Sequence, residues 1–367
     1  MNTEIHPLRL VIKALCLFTL VNIVYALVDP QVDRVSAYNV IFPGRARMPF
    51  GDGDEAFAVM VDNVDAMIAS HAVSGAKAKG EYRVLLVGDS SVWGENLTAQ
   101  QSLSEQWNKL NLRCGDRVIK AYNLGYPHPS VIKDLIVLDK AMEYEPDLII
   151  WFVTLNTLIP RRLSPFLAAN QERALRVLSE YDIPFAQEKA LLESKASFYQ
   201  QTLIGERSHL ARLIKLQALG LIWTATGTDT GAPLDDEITI SPDVDDDLRY
   251  RGMKVNTDLK EKILFSALAA GHNLAGSVPI LLVNEPMYIA SGVNKEVRYN
   301  DVYPRWAFDQ YREVMFAEAQ KERWNYLDLW DSIPSQYFPH TTLHPSAEGE
   351  RLLVELINPA MQAISCH

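Results

Sequence analysis

Cysteine is scarce in this chain, with 3 in 367 residues. Cys16, Cys114 and Cys366 fall into no metal-ligand spacing and build no disulfide framework, which excludes a zinc module and a small disulfide-stapled fold. At most Cys114 and Cys366 could pair, and the sequence leaves that open. The 8 histidines show no paired spacing either, so neither a metal nor a cofactor is expected. Positive charge is also short. Lys and Arg number 35 against 46 Asp and Glu, a net charge of -11, and a nucleic-acid partner is excluded because phosphate binding needs a basic face. Internal repeats and low-complexity tracts are missing. What remains is 48% apolar and 22% charged, ordinary for a globular chain long enough for one large domain, or one domain carrying an insertion.

Residues 8–28 depart from this soluble composition. From Ala14 to Val28 only Thr19, Asn22 and Tyr25 are not plainly apolar, and Leu10 to Ile12 extend the run behind Lys13. That is about the 20 residues a helix needs to cross a bilayer. His6, Arg9 and Lys13 lie at its start and Asp29 and Asp33 after it, so the positive-inside rule puts the N-terminus in the cytoplasm and the rest outside. The competing reading is a cleaved signal peptide, for which Val24-Tyr25-Ala26 is a mediocre cleavage site. An uncleaved single-pass anchor over residues 1–28 is the favoured expectation, with an extracytoplasmic domain. Residues 29–53, rich in Pro, Gly and Arg, read as a tether. Within it Arg45 and Arg47 read as solvated or facing lipid headgroups, and alternatively as lining the site.

Residues 54–367 read as the domain. A helix is expected over 54–73, where Ala58, Val61, Val64, Met67 and Ile68 keep helical spacing. Strands are expected at Val84 to Val87, Val118 to Tyr122, Leu148 to Val153, Ile280 to Val283 and Tyr326 to Leu329, with helices near 101–112, 130–143, 257–274, 306–322 and 346–364. The alternation predicts an α/β fold, a three-layer α/β/α sandwich on a five-stranded parallel sheet. Residues 158–256 interrupt it as an insertion. Its acidic stretch (Asp235 to Glu237, Asp243, Asp245 to Asp247) lacks the glycine and terminal glutamate of a calcium loop and reads as solvated surface. Its apolar run Leu216 to Ala225, too short to cross a bilayer, packs in the core by default. A lid, or a helix in the membrane interface, remain open.

Chemistry-bearing residues collect where the strands end. The first strand runs into Gly88-Asp89-Ser90-Ser91, the second into Asn123-Leu124-Gly125, the third into Thr154-Leu155-Asn156. Past the fifth strand comes Thr341-Thr342-Leu343-His344-Pro345-Ser346-Ala347-Glu348-Gly349. A hydroxyl, an imidazole and amide donors on one sheet edge are the parts acyl transfer needs. No phosphate-cradling glycine loop follows the first strand, which disfavours a flavodoxin-like nucleotide binder.

In these four blocks, in this order across residues 83–365, the sequence resembles the SGNH (GDSL-type) hydrolase superfamily, whose sandwich is flavodoxin-like. The resemblance implies Ser90 as nucleophile, His344 as general base, and an oxyanion hole from the Ser90 and Gly125 amides and the Asn156 side chain. Two positions depart from the family pattern. Thr154-Leu155-Asn156-Thr157 keeps only the Asn of Gly-x-Asn-Asp, and Thr341 stands where the acidic partner of the histidine belongs. A Ser-His pair oriented by the Thr341 hydroxyl or a backbone carbonyl is the expected arrangement; Asp331 and His340 lack the spacing.

Asn284, Glu285, Asn300, Tyr303 and Arg305 are candidates for substrate contact, with packing or capping the more ordinary role of such residues. Asp89 reads as structural, and Lys133-Asp134 and Arg161-Arg162 as surface or helix-end charges. The leading expectation is an esterase acting on acyl esters, acetyl esters of glycans preferred. An O-acyltransferase for surface polysaccharide using the same residues is the alternative within the enzyme class. A domain that binds glycan or an envelope partner without turnover is the alternative outside it.

Overall fold

The structure, a computed structural model, describes residues 6–28, 30, 32, 44–50, 63–160, 165–184, 192, 197–226 and 240–366. The first element is helix α1 (Pro7–Val28), exposed along its length except at Asn22 and Ala26, which are buried, and Tyr25, which is half-buried. Helix α2 (Val64–Ser70) follows, capped by Asn63, whose side chain accepts the Ala66 amide. Of the helix expected over 54–73, residues 54–62 lie outside the described residues.

Strand β1 (Glu81–Val87) forms from β-branched and aliphatic residues that are buried from Tyr82 onward. Helix α3 (Leu103–Lys109), strands β2 (Arg113–Cys114) and β3 (Arg117–Asn123), helix α4 (Val131–Ala141) and strand β4 (Leu148–Val153) come next. Helices α5 (Gln171–Glu180) and α6 (Arg207–Thr226) stand between β4 and β5. The chain continues through α7 (Phe265–Ala275), β5 (Ile280–Asn284), α8 (Arg305–Glu322), β6 (Asn325–Asp328) and α9 (Ala347–Ser365).

The sheet has six strands in the order β2-β3-β1-β4-β5-β6. Five pair in parallel, and β2 pairs antiparallel with β3. The expected five-stranded parallel sheet is therefore corrected to a mixed sheet of six. The missed strand is two residues joined to β3 through Gly115 at φ 60, too short to show any alternation in sequence. Helix α7 also begins later than the expected 257, because the stretch before it forms turns.

Alternate residues of β1 feed two cores. Leu85 and Val87 pack with residues of α2, α4, α7 and α8. Val84 and Leu86 pack with Leu103 and Trp107 of α3 and Leu353, Val354 and Ile357 of α9. That is the three-layer sandwich. The chain leaves β1 toward β3 on one side and reaches β4 on the other, so the end of β1 sits at the point where strand order reverses, where open α/β sheets place ligands.

Two remote segments are tied to this body. Cys114 and Cys366 form a disulfide that joins the sheet edge to the end of α9. Gly44 and Arg45 donate their amides to Ser70 O, and Arg47 is buried. The Arg47 Nη1 donates to Gly94 O at 2.9 Å and Leu97 O at 3.0 Å, and its guanidinium lies 4.1 Å over the Trp93 ring. Arg47 is thus neither solvated nor turned to headgroups: the Trp93, Gly94 and Leu97 carbonyls at the end of the Ser90 turn need a donor, and it supplies one. Apart from residues 30, 32 and 44–50, the expected tether lies outside the described residues, as do Asp235 to Glu237. Asp243, Asp245 and Asp246 are exposed, as a solvated acidic stretch requires.

Candidate active site

The end of β1 is built to lift a hydroxyl out of the sheet. Gly88 leaves the strand where a Cβ would lie 2.6 Å from Val92 Cγ2 and 3.1 Å from Phe152 Cβ. Asp89 then caps a one-turn helix, Ser90–Trp93, its Oδ1 accepting the Ser91 amide at 3.1 Å and its Oδ2 the Thr157 hydroxyl at 3.4 Å. Both carboxylate oxygens serve the turn, so Asp89 is structural. Gly94, at φ 86, closes the turn with its amide on Ser90 O and Ser91 O.

Ser90 Oγ and His344 Nε2 are 2.9 Å apart, across a sequence separation of 254. On the other side of the ring, His344 Nδ1 is 2.7 Å from Thr341 Oγ1. The same oxygen accepts the His344 amide at 3.1 Å. The loop from β6 to α9 holds this geometry because Ser346 caps α9, accepting the Gly349 amide. The hydroxyl, the imidazole and a group that engages its second nitrogen form a line, as nucleophile activation requires.

Gly125 is packed against the same turn. A Cβ there would sit 2.4 Å from Trp93 N and 2.8 Å from Val92 C, so no other residue fits without moving the turn. Asn123, fully buried, donates through Nδ2 to Val92 O at 2.6 Å. Its Oδ1 accepts the Gly125 amide at 3.0 Å. The Gly125 amide, expected to face an oxyanion, is engaged here by Asn123 Oδ1. Asn156 stands in the first turn after β4, half-buried, with Tyr250 Oη 3.5 Å from its Oδ1. Further along the loop His128 is held at φ 100, an uncommon backbone state for a residue other than glycine, costing about 1–3 kcal/mol.

Charge around the turn is mostly neutralised. Lys133 and Asp134, expected at the surface, are fully buried and paired at 2.6 Å. Lys133 Nζ donates to Gly88 O at 2.6 Å and Tyr126 O at 2.9 Å, bracing the approach to Ser90 and the residue after Gly125. Trp151 Nε1 donates to Asp134 Oδ2 at 3.0 Å. Burial pushes the Asp134 carboxyl up from its ordinary range. Glu285 lines a small cavity with Ser91, Pro345 and Glu350. Burial first, then the charge of Asp89, pushes Glu285 well above the carboxylate range, and burial does the same to Glu350. A carboxylate stands beside the reacting pair: Glu95, half-exposed, with Oε2 3.5 Å from His344 Nε2.

The expected substrate-contact residues do not join this group as a cleft wall. Asn284 is buried, donating to Asp328 Oδ1 at 2.7 Å and accepting from Tyr311 Oη at 3.1 Å. Asn300 is buried and holds its own loop, accepting the Val302 and Tyr303 amides and donating to Tyr288 O. Tyr303 is buried against Phe308 and Tyr250. Arg305 donates to Lys295 O and lies 4.2 Å over the Tyr299 ring. Asn284, Asn300, Tyr303 and Arg305 are engaged in packing or capping here, because the loops after β5 fold back onto the sheet edge, whereas Glu285 lines the small cavity beside Ser91. Arg161-Arg162 lie outside the described residues. The sequence carries no sign of Glu95, assigns Asn123 no role beyond ending its strand, and places the Lys133–Asp134 pair at the surface.

No family model matches this sequence, and no curated protein does. Among solved structures, the chain is similar to a carbohydrate acetylesterase family member from Sinorhizobium meliloti, at 12% identity and a TM-score of 0.35, covering 77% of this chain and 97% of that one. It is similar to a GDSL-like lipase from Bacteroides thetaiotaomicron at 10% identity and a TM-score of 0.35, covering 79% and 93%. A lipase/acylhydrolase from Enterococcus faecalis is similar at 15% identity and a TM-score of 0.35, covering 77% and 95%.

Proposed function

We propose that this chain is a serine esterase of the SGNH type, held at a membrane by α1, that removes acyl groups, acetyl preferred, from carbohydrate. The observation that carries the reading is the 2.9 Å contact of Ser90 Oγ with His344 Nε2, with Thr341 on the opposite ring nitrogen. In the productive tautomer Nδ1–H donates to Thr341 and Nε2 accepts the Ser90 proton as Oγ bonds the ester carbonyl carbon. The oxyanion would take the Ser90 amide and the Asn156 side chain, and the Glu95 carboxylate would favour the imidazolium that forms. Collapse breaks the ester C–O bond, and the imidazolium returns its proton to the departing sugar oxygen. Water then attacks the acyl-enzyme, giving up one proton to His344, and acetic acid leaves as Ser90 Oγ takes that proton back from the imidazolium.

Two observations support an anchor that is retained and a domain outside the cytoplasm. Tyr25 Oη donates to Glu206 Oε2 at 2.8 Å, so the outer end of α1 is docked on the body in a way a discarded leader would not need. The Cys114–Cys366 disulfide suits an oxidising compartment.

Thr341 in place of a carboxylate favours a second reading, a glycan-binding scaffold without turnover. The test is proton NMR of O-acetylated polysaccharide incubated with the full chain or with Ser90→Ala. Free acetate from the wild type alone supports the esterase. Acetyl appearing on an added glycan acceptor instead makes the protein a transferase, with a sugar hydroxyl in the place of water. Neither product, with polysaccharide bound, makes it a scaffold.

A further inference from the structure

We infer that residues 197–206 and the outward face of α6 lie at the boundary between headgroups and acyl chains, a second attachment beside α1; this rests on α1 being a retained membrane helix. At 22 residues α1 is about 33 Å long, matched to a hydrocarbon core of about 30 Å. Asn22 and Ala26, one turn apart on one face, are its buried residues. The Asn22 Oδ1 accepts the Ile204 amide at 3.2 Å, while its Nδ2 donates to Phe18 O at 2.9 Å. Asn22 sits about 9 Å short of the helix end, so the Ile204 backbone is held below the outer limit of the span. Water is scarce at that depth and a backbone N–H left without a partner there is costly. An asparagine side chain on the membrane helix supplies the partner.

The side chains around this contact have the composition of a lipid-facing element. Phe198, Tyr199 and Ile204 are exposed at 52%, 58% and 38%. On α6 the exposed positions include Ala211, Ile214, Ala218, Leu219, Ile222 and Ala225, a stripe at helical spacing. A helix on an aqueous surface turns its polar face outward, and here most of the exposed positions are apolar. Arg207, Ser208 and Lys215 are exposed on the same face, and residues 207–226 contain no acid although the whole chain carries a net charge of -11. A mostly apolar face whose charged side chains are cations, beside the outer end of a membrane helix, fits lipid with anionic headgroups. The default packing of Leu216 to Ala225 in the core does not hold for the exposed positions of that run.

The test is nitroxide accessibility on the full chain in vesicles of phosphatidylethanolamine and phosphatidylglycerol. Labels go on Tyr199→Cys and Ile214→Cys in a Cys16→Ser background, since the other two cysteines are paired. Leu15→Cys reports the anchor, and Phe316→Cys, exposed on α8, reports water. The expected result is loss of collision with a water-soluble nickel chelate and gain of collision with oxygen at 199 and 214, relative to 316. Labels at 199 and 214 that match 316 while 15 remains in lipid overturn the inference and leave the anchor standing. Aqueous labels at 15, 199 and 214 together overturn both.

Discussion

Thr341→Asp is expected to raise turnover, by about 10²-fold and at most about 10⁴-fold, the cost of exchanging carboxylate for amide at this position in a serine-protease triad. A hydroxyl both donates and accepts, and Thr341 Oγ1 already accepts the His344 amide. Its own proton is therefore free to turn to Nδ1, which puts the ring hydrogen on Nε2 and leaves no lone pair for Ser90. A carboxylate cannot donate, so Nδ1–H becomes fixed and the imidazolium gains a counter-charge. Thr341 is half-buried at the loop surface. Steady-state hydrolysis of an aryl acetate by wild type, Thr341→Asp and Thr341→Val measures the effect, the valine variant falling below wild type. Equal rates for all three would mean that something other than position 341 orients the ring.

The second large effect is expected at Lys133, far from any substrate in sequence terms but under the nucleophile in space. Lys133→Met leaves Asp134 buried without its cation and Gly88 O and Tyr126 O without a donor, a loss of about 3–5 kcal/mol. Urea unfolding should show the midpoint shifted down, with activity lost in the protein that remains folded, because Gly88 is two residues from Ser90. Lys133→Met with Asp134→Leu removes both charges. That double variant is expected to recover much of the stability, since an apolar pair can replace a buried ion pair, but not the activity. Full activity in the stabilised double variant would show that the pair holds the fold without positioning Ser90.

The Lys133 position also marks where sequence patterns stop being readable. Runs such as Leu148 to Val153 are buried on both faces, so composition alone places them. Ser90 was legible because it follows a strand whose end could be predicted, and His344 because it stands just before the start of α9. Lys133-Asp134 looks like a helix-start charge pair; only the packing of α4 under β1 shows it buried. Tyr303 and Asn300 read as a polar loop near a strand end, yet that loop folds inward and consumes its own polar groups. The Gly125 amide could not be judged at all from sequence, since the proton's partner, Asn123 Oδ1, depends on one side-chain rotamer. The strand β2 was too short to leave a pattern.

The most direct test of the central claim, that His344 activates Ser90, is intact-mass analysis of the full chain after a fluorophosphonate probe. One adduct per chain, mapped to the peptide holding Ser90 and missing from Ser90→Ala and His344→Ala, is the predicted result. A folded wild type that takes no adduct, or His344→Ala labelled as fast as wild type, would contradict it.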